Sequence, residues 1–444
     1  MEDTILTRSR ENKSVGDNQP LGDGDDIGHP HDSFLVSAYR AATIRYSASQ
    51  DDTHILPRRQ GAAFSPRRKS EEYLCRRYQE LSEGNLPSDV FDFRLTRKLG
   101  EGGQGVVRSS ECPGSDGFRN DQLALKIFSP RLYPSVERYE ADMHRMGRVA
   151  SIIAGIDQGN ILTVQQFQSL DGIRLMLMKQ VDGYDLRHLM DPWSVHRVRE
   201  ARPDLLREIT ESIVSLGPVQ TRFLPGAALT IARKCLAALI RMHASGVVYG
   251  DLKPSNIMLT PYGEVKIVDI GSAFEVAATR FPFFCTPEYA APEVLQHGEC
   301  TERSDLASLG YVFIEMLLGR PVFSSLPRRL RTELSVPQEA TTGIATDPDP
   351  RLIEEKCSLP DRLCNLLPTY SPTLIQFLKR MIAARPEDRW PDAVQAEVNG
   401  QFGAYAYYQE LVRSGLDMQY EHEFRIWFNA LGPNQCHCES VTTS

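Results

Sequence analysis

The sequence predicts an α+β fold in which a small, strand-rich antiparallel half precedes a larger, mainly helical half. Three observations carry this expectation. Between residues 91 and 130 apolar and polar residues alternate in short runs, FDFRLTRKLG, GVVRSSE and QLALKIF, broken by glycine and by the turn PGSDG, as three antiparallel strands require. After about residue 200 the apolar spacing becomes helical: Leu236, Leu239, Ile240 and His243 line one face of IARKCLAALIRMHASG, and Gly246 ends it. The stretch DLASLGYVFIEMLLG is apolar nearly all round, the pattern of a buried helix.

The other elements follow in chain order. Residues 1–68 are rich in Asp, Gly, Ser, Arg and Pro with weak periodicity, the composition of a disordered extension; Ser65 before Pro66 is a candidate phosphorylation site within it. In SEEYLCRRYQELSEG, Tyr73, Leu74, Arg77, Tyr78 and Leu81 recur at helical spacing and Gly84 stops them, so residues 69–91 read as a linker helix. NIMLT and EVKIVDIG flank the turn PYGE and read as a hairpin. Within residues 399–444, QFGAYAYYQELVRSGLDMQYEHEFRIWFNALG carries enough aromatics to dock as a helical tail.

Composition narrows the function. A chain of 444 residues, 41% hydrophobic, can bury a substantial core. A net charge of −8 argues against a nucleic-acid-binding surface. Nine cysteines without framework spacing point to a reducing, intracellular setting; the expected compartment is the cytoplasm, with the nucleus or delivery into another cell as alternatives. Cys436 and Cys438 flank His437, but no second pair completes a tetrahedral zinc site. No signal-like apolar segment opens the chain, and no uncharged apolar run is long enough for a membrane span, so the expectation is a soluble protein.

The chemistry concentrates in VVYGDLKPSNIML. Asp251, Lys253 and Asn256 stand between two apolar runs, and a second acid, Asp269, follows beside Gly271 at the far end of the hairpin. Two acids and an amide on one patch suit a hard cation such as Mg²⁺ and an acceptor for a hydroxyl proton. Such chemistry calls for a phosphate cradle upstream. LGEGGQGVV supplies Gly100, Gly102 and Gly105, whose backbones can approach a polyphosphate closely. The glycines open a strand instead of a helix, which disfavours a dinucleotide site. On the next strand, LALKIF places Lys126 within reach of those phosphates. Each feature alone is common: an isolated lysine in a strand is ordinarily an exposed charge.

Taken in order over about residues 92–395, these stretches resemble the eukaryotic-type (Ser/Thr) protein kinase family. Gly100, Gly102, Gly105 and Val107 match its glycine-rich loop, and Ala124 and Lys126 its strand-lysine motif. YGDLKPSN matches the catalytic loop, Asp269 to Gly271 the metal-binding triplet and Ala291 to Glu293 the APE motif. Asp305 resembles the helix aspartate that organises the catalytic loop, and Arg389 the arginine that pairs with the APE glutamate. The resemblance implies a bilobal protein kinase fold, with an N-lobe over 92–181 and a C-lobe over 182–398. It also implies ATP and Mg²⁺ as cofactors, and proteins with Ser or Thr acceptors as partners. By the same resemblance Asp251 accepts or orients the hydroxyl proton, Lys253 neutralises the γ-phosphate, and Asn256 with Asp269 holds Mg²⁺. Lys126 anchors the α/β-phosphates through a salt bridge to a helix glutamate. Glu140 in VERYEADMHRM is preferred for that pair because Met143 and Met146 follow on a core face; Glu137 is the alternative. MLMKQVDGYDL resembles the hinge, placing Met178 at the gate of the adenine pocket and Gln180 and Val181 beside the purine. Lys253 and Thr286 are the Ser/Thr-specific forms of their motifs.

The sequence also departs from the family pattern. The His-Arg-Asp triplet is Tyr249-Gly250-Asp251, without the arginine that clamps a phosphorylated activation loop. Between Asp269 and Glu293 only Ser272, Thr279 and Thr286 are Ser or Thr. The expectation is activity that does not depend strictly on loop phosphorylation. Ile270 replaces the usual Phe. Residues 191–225 and 323–368 exceed a minimal kinase and are candidate docking surfaces, with tolerated surface loops the plainer reading. A pseudokinase acting as a nucleotide-binding scaffold is the rival function, opposed by the intact Lys126, Asp251, Asn256 and Asp269. A small-molecule kinase is disfavoured by the APE segment.

Overall fold

Alternating runs and helical stripes sort themselves into two lobes. The structure, a computed structural model, describes residues 70–86, 94–111, 123–276, 285–297, 299–323 and 349–432. Ser65, Thr279, Cys436, His437, Cys438 and the composition-based reading of residues 1–68 lie outside them.

The N-lobe is a five-stranded antiparallel sheet of β1 (Arg94–Gly102), β2 (Gly105–Glu111), β3 (Leu123–Phe128), β4 (Val164–Leu170) and β5 (Ile173–Lys179). Its spatial order is β1-β2-β3-β5-β4. Every residue of β3 is buried, because this strand sits mid-sheet with both faces covered. A short helix, α1 (Glu71–Ser82), is capped by Ser70 and buries Leu74, Tyr78 and Leu81 on the lobe. Its Arg77 reaches Asp171 in the β4–β5 turn at 2.9 Å. The long helix α2 (Val136–Ala154) starts at Ser135, whose hydroxyl accepts the Arg138 N–H, and buries Tyr139, Asp142, Met143, Arg145 and Met146 among others.

Past the hinge come β6 (Tyr184–Asp185), α3 (Leu186–Leu189), α4 (Trp193–Ala201) and α5 (Leu206–Ser212). They are followed by the hairpin β7 (Val214–Leu216) and β8 (Thr221–Phe223). The core of the C-lobe forms around α6 (Pro225–Ala244) and α8 (Glu302–Leu318), which pack on each other. Residues 304–317 of α8 are all buried, as a helix apolar on every side must be. Between these helices lie β9 (Val247–Val248), β10 (Ile257–Leu259), β11 (Val265–Ile267), β12 (Phe274–Glu275) and α7 (Pro292–His297). The expected hairpin forms, with Ile257 opposite Ile267, and β12 pairs with β9.

The carboxy-terminal part contains α9 (Pro350–Leu366), α10 (Pro372–Met381), α11 (Ala393–Val398), α12 (Ala404–Arg413) and α13 (Tyr420–Leu431). Helix α13 packs on α4, α5 and α6. Trp427 lies edge-on to Phe223, and Phe428 meets Tyr184. The stretch 191–225, read from sequence as a lengthened loop with docking potential, is therefore structured and partly covered by the chain's own tail. Of 323–368, residues 324–348 lie outside the described residues and 350–366 form α9. Among the described residues no helix is long and apolar enough to cross a membrane.

Candidate active site

The loop from Tyr249 to Asn256 is held from beneath by one carboxylate. Asp305 on α8 accepts the backbone N–H of Tyr249 at 2.9 Å and that of Gly250 at 2.8 Å, and contacts His243 Nε2 at 2.8 Å. Gly250 has φ 82°, a conformation that side-chain-bearing residues rarely adopt, and this kink lets both amides point at one acid. Asn256 donates from Nδ2 to the Asp251 carbonyl at 2.9 Å and closes the loop.

Tyr249, noted from sequence only as a departure, ties this loop to the second acid. It is fully buried, and its hydroxyl donates to the Val268 carbonyl and contacts the Asp269 carbonyl at 3.0 Å. Burial pushes its phenol far above the usual range, so it stays a neutral donor. Tyr249→Phe leaves buried carbonyls without that partner and is expected to destabilise the fold by about 1–3 kcal/mol, read as a lower midpoint of chemical unfolding.

Asp251 is bracketed by two donors. Lys253 Nζ lies 2.7 Å from its Oδ2, and the Thr286 N–H donates to its Oδ1 at 2.9 Å. Lys253 also donates to the Thr286 hydroxyl at 2.9 Å. Burial raises the Asp251 carboxyl above the ordinary aspartate range, with the Lys253 ammonium pulling the other way.

Asp269 sits at φ 60°, with its carboxylate accepting the Gly271 N–H at 3.0 Å and the Lys126 ammonium at 2.5 Å. Its side chain is 43% exposed. Enclosure by the cleft walls raises its carboxyl, and the Lys126 ammonium more than offsets this, holding it below the usual range.

The β2–β3 register sets Val107 opposite Lys126 and Ser109 opposite Ala124, while Ala124 faces Met178 across β3 and β5. Gly100 pairs with Val107, and Gly102 with Gly105, at the β1–β2 turn. The strand lysine, the glycine-rich turn and Met178 thus converge on one sheet face region. Val181 follows in the connection between β5 and β6. Its neighbour Gln180 accepts the Ser109 hydroxyl proton at 2.6 Å, clasping the connection to β2.

The expected Lys126–Glu140 pair is not formed. Glu140 and the alternative Glu137 are both exposed on α2. Lys126 is 3% exposed and bonds instead to Asp269 and, at 3.1 Å, to Gln104 Oε1. The physical reason is rotation: the stripe of α2 that packs on the lobe contains Tyr139, Asp142, Met143 and Met146, which turns Glu140 to solvent. One residue went unread in the sequence. Gln104, in the glycine-rich turn, also donates from Nε2 to Ser272 Oγ at 3.3 Å. Gly271 makes room for it, since a Cβ there would lie 1.7 Å from Gln104 Oε1. A polar residue among four loop glycines was the available signal.

Comparison with known proteins agrees with this geometry. Residues 93–398 match the protein kinase domain model. A probable serine/threonine-protein kinase, pknA2, of Bifidobacterium longum is 27% identical over 326 residues, covering 71% of this chain and 39% of the relative. The serine/threonine-protein kinase PknD of Mycobacterium tuberculosis is 29% identical over 251 residues, 55% of this chain and 32% of the relative. The serine/threonine-protein kinase PrkC of Bacillus subtilis is 26% identical over 278 residues, 58% and 38% respectively. The chain therefore spans about a third of the length of these relatives. With the five-stranded antiparallel sheet over a helical lobe, the Asp305-held loop and the family match over most of its length, the chain belongs to the protein kinase domain family.

Proposed function

We propose that this chain is an ATP- and Mg²⁺-dependent serine/threonine protein kinase. The observation that carries the reading is the Asp251–Lys253–Thr286 cluster: the carboxylate is fixed by two donors at 2.7 and 2.9 Å, and the same lysine holds the Thr286 hydroxyl. The names of the relatives, serine/threonine-protein kinases, support the acceptor class.

The donor set fits a hard cation. Asp269 offers a partly exposed carboxylate and Asn256 an amide oxygen. A bound Mg²⁺ would be held by Asp269 and Asn256 together with oxygens that the protein does not supply. A bound Mg²⁺ supplies charge neutralisation between the phosphates. The protein's own residues do the positioning. Lys126 brings its ammonium to the nucleotide phosphates once Gln104 yields its place, and Lys253 sits where charge gathers on the transferred group. Asp251 orients the acceptor hydroxyl and takes its proton.

Labelled ATP with Mg²⁺ and matched Ser, Thr and Tyr peptides tests the reading, with Lys126→Met as the control. Transfer to Ser and Thr that disappears in Lys126→Met supports it. Nucleotide binding without any transfer in the unmutated chain sinks it in favour of the scaffold function.

A further inference from the structure

We propose that Arg145 is a positioning residue for the metal-binding acid, taking over the coupling that a helix glutamate paired with Lys126 was expected to provide. This inference rests on the kinase reading above.

Helix α2 has no acid on Lys126, yet it is fastened to the same site by another route. The Arg145 guanidinium is buried, and its Nη1 donates to the Ala273 carbonyl, four residues past Asp269. Its Nε donates to Asp142 Oδ1 at 2.7 Å, and Asp142 Oδ2 accepts the Tyr133 hydroxyl proton at 2.7 Å. A buried charged group without partners is costly, so this chain of bonds has few alternative arrangements. One turn further on, the exposed Arg148 contacts Glu275 Oε1 at 2.7 Å. Both arginines grip the segment that leaves Asp269.

The consequence is mechanical. Asp269 stands in a left-handed conformation, and its carboxylate direction depends on where the backbone from Ile270 to Ala273 is pinned. Tyr249 pins the near side through the Val268 and Asp269 carbonyls. Arg145 pins the far side. The position of α2 is thereby transmitted to Asp269 through the backbone, and Lys126 then follows Asp269 directly.

The test measures how Mg²⁺ tightens binding of a fluorescent ATP analogue to the full chain, alongside peptide phosphorylation as Mg²⁺ is raised. Arg145→Met is expected to need about tenfold more Mg²⁺ for half-maximal tightening, the size of one lost charge-assisted hydrogen bond. Analogue binding without metal stays within about twofold, and Arg145→Lys, which retains one donor for the Ala273 carbonyl, recovers part of the loss. Glu140→Gln behaves as the parent. Tyr133→Phe removes only the hydroxyl that steadies Asp142; should Arg145→Met fail to fold, a smaller shift in the same direction in Tyr133→Phe sustains the proposal. An unchanged Mg²⁺ requirement in folded Arg145→Met, or in Tyr133→Phe when Arg145→Met does not fold, overturns it. So does a collapse of phosphorylation in Glu140→Gln. Absence of transfer in the parent sinks only the kinase reading, because the Mg²⁺-dependent binding arm still reports on Arg145.

Discussion

Asp251→Asn lowers phosphate transfer by about two to four orders of magnitude while nucleotide binding stays within a few-fold. The amide cannot take a proton from the acceptor. It also cannot satisfy both donors, because Lys253 Nζ and the Thr286 N–H each need an oxygen and Asn has one. Binding survives because Lys126 and Asp269 bond to each other and not to Asp251. The same carboxylate shapes the pH profile. Its raised pKa means that it is protonated, and inactive as a base, at a higher pH than an exposed aspartate. The acid limb of kcat against pH therefore lies above that set by an exposed aspartate and disappears in the variant. Retention of more than about a tenth of parental transfer would exclude the role of base.

Arg389→Ala carries the largest expected cost to stability. Its guanidinium is fully buried and grips both oxygens of Glu293 at 2.7 Å. It also donates to the Ala383 carbonyl at 2.8 Å and the Arg303 carbonyl at 3.1 Å. Ser304 adds a hydroxyl to Glu293 at 2.7 Å but brings no charge. Truncation strands a carboxylate in the interior, a loss of about 3–5 kcal/mol. Chemical denaturation measures it. The double variant Arg389→Met with Glu293→Gln removes the stranded charge, so it is expected to recover much of the stability. A single variant as destabilised as the double one would show that packing, and not charge pairing, dominates there.

The catalytic loop was legible because its chemistry is local. Asp251, Lys253 and Asn256 are brought together by one tight turn, and their spacing in sequence is nearly their arrangement in space. The same holds for the β10–β11 hairpin and for α8, whose uniform apolarity admits no exposed face. Glu140 was not legible, because the partner of Lys126 depends on how α2 rotates over the sheet, which the spacing within the helix does not fix. Met143 and Met146 are indeed buried, but they fix the stripe only to within a neighbouring residue. The informative sign was Asp142 lying within that stripe, an acid where burial demands a partner. Arg145, three residues on, supplies it. Gln104 escaped notice since its partners, Lys126 and Ser272, come from two other segments.

The boundaries of the family match and those of the folding unit differ. Residues 93–398 leave out α1, α12 and α13. Cutting there strips Leu74, Tyr78 and Leu81 from the N-lobe, and from the C-lobe the rings of Phe424, Trp427 and Phe428. Tyr184, next to the hinge, loses its aromatic neighbour Phe428 and the Gly432 carbonyl that its hydroxyl reaches at 3.3 Å. The excised domain would present fresh apolar surface on both lobes, a recipe for self-association. The smallest well-behaved fragment of this chain is therefore expected to run from Ser70 to Gly432.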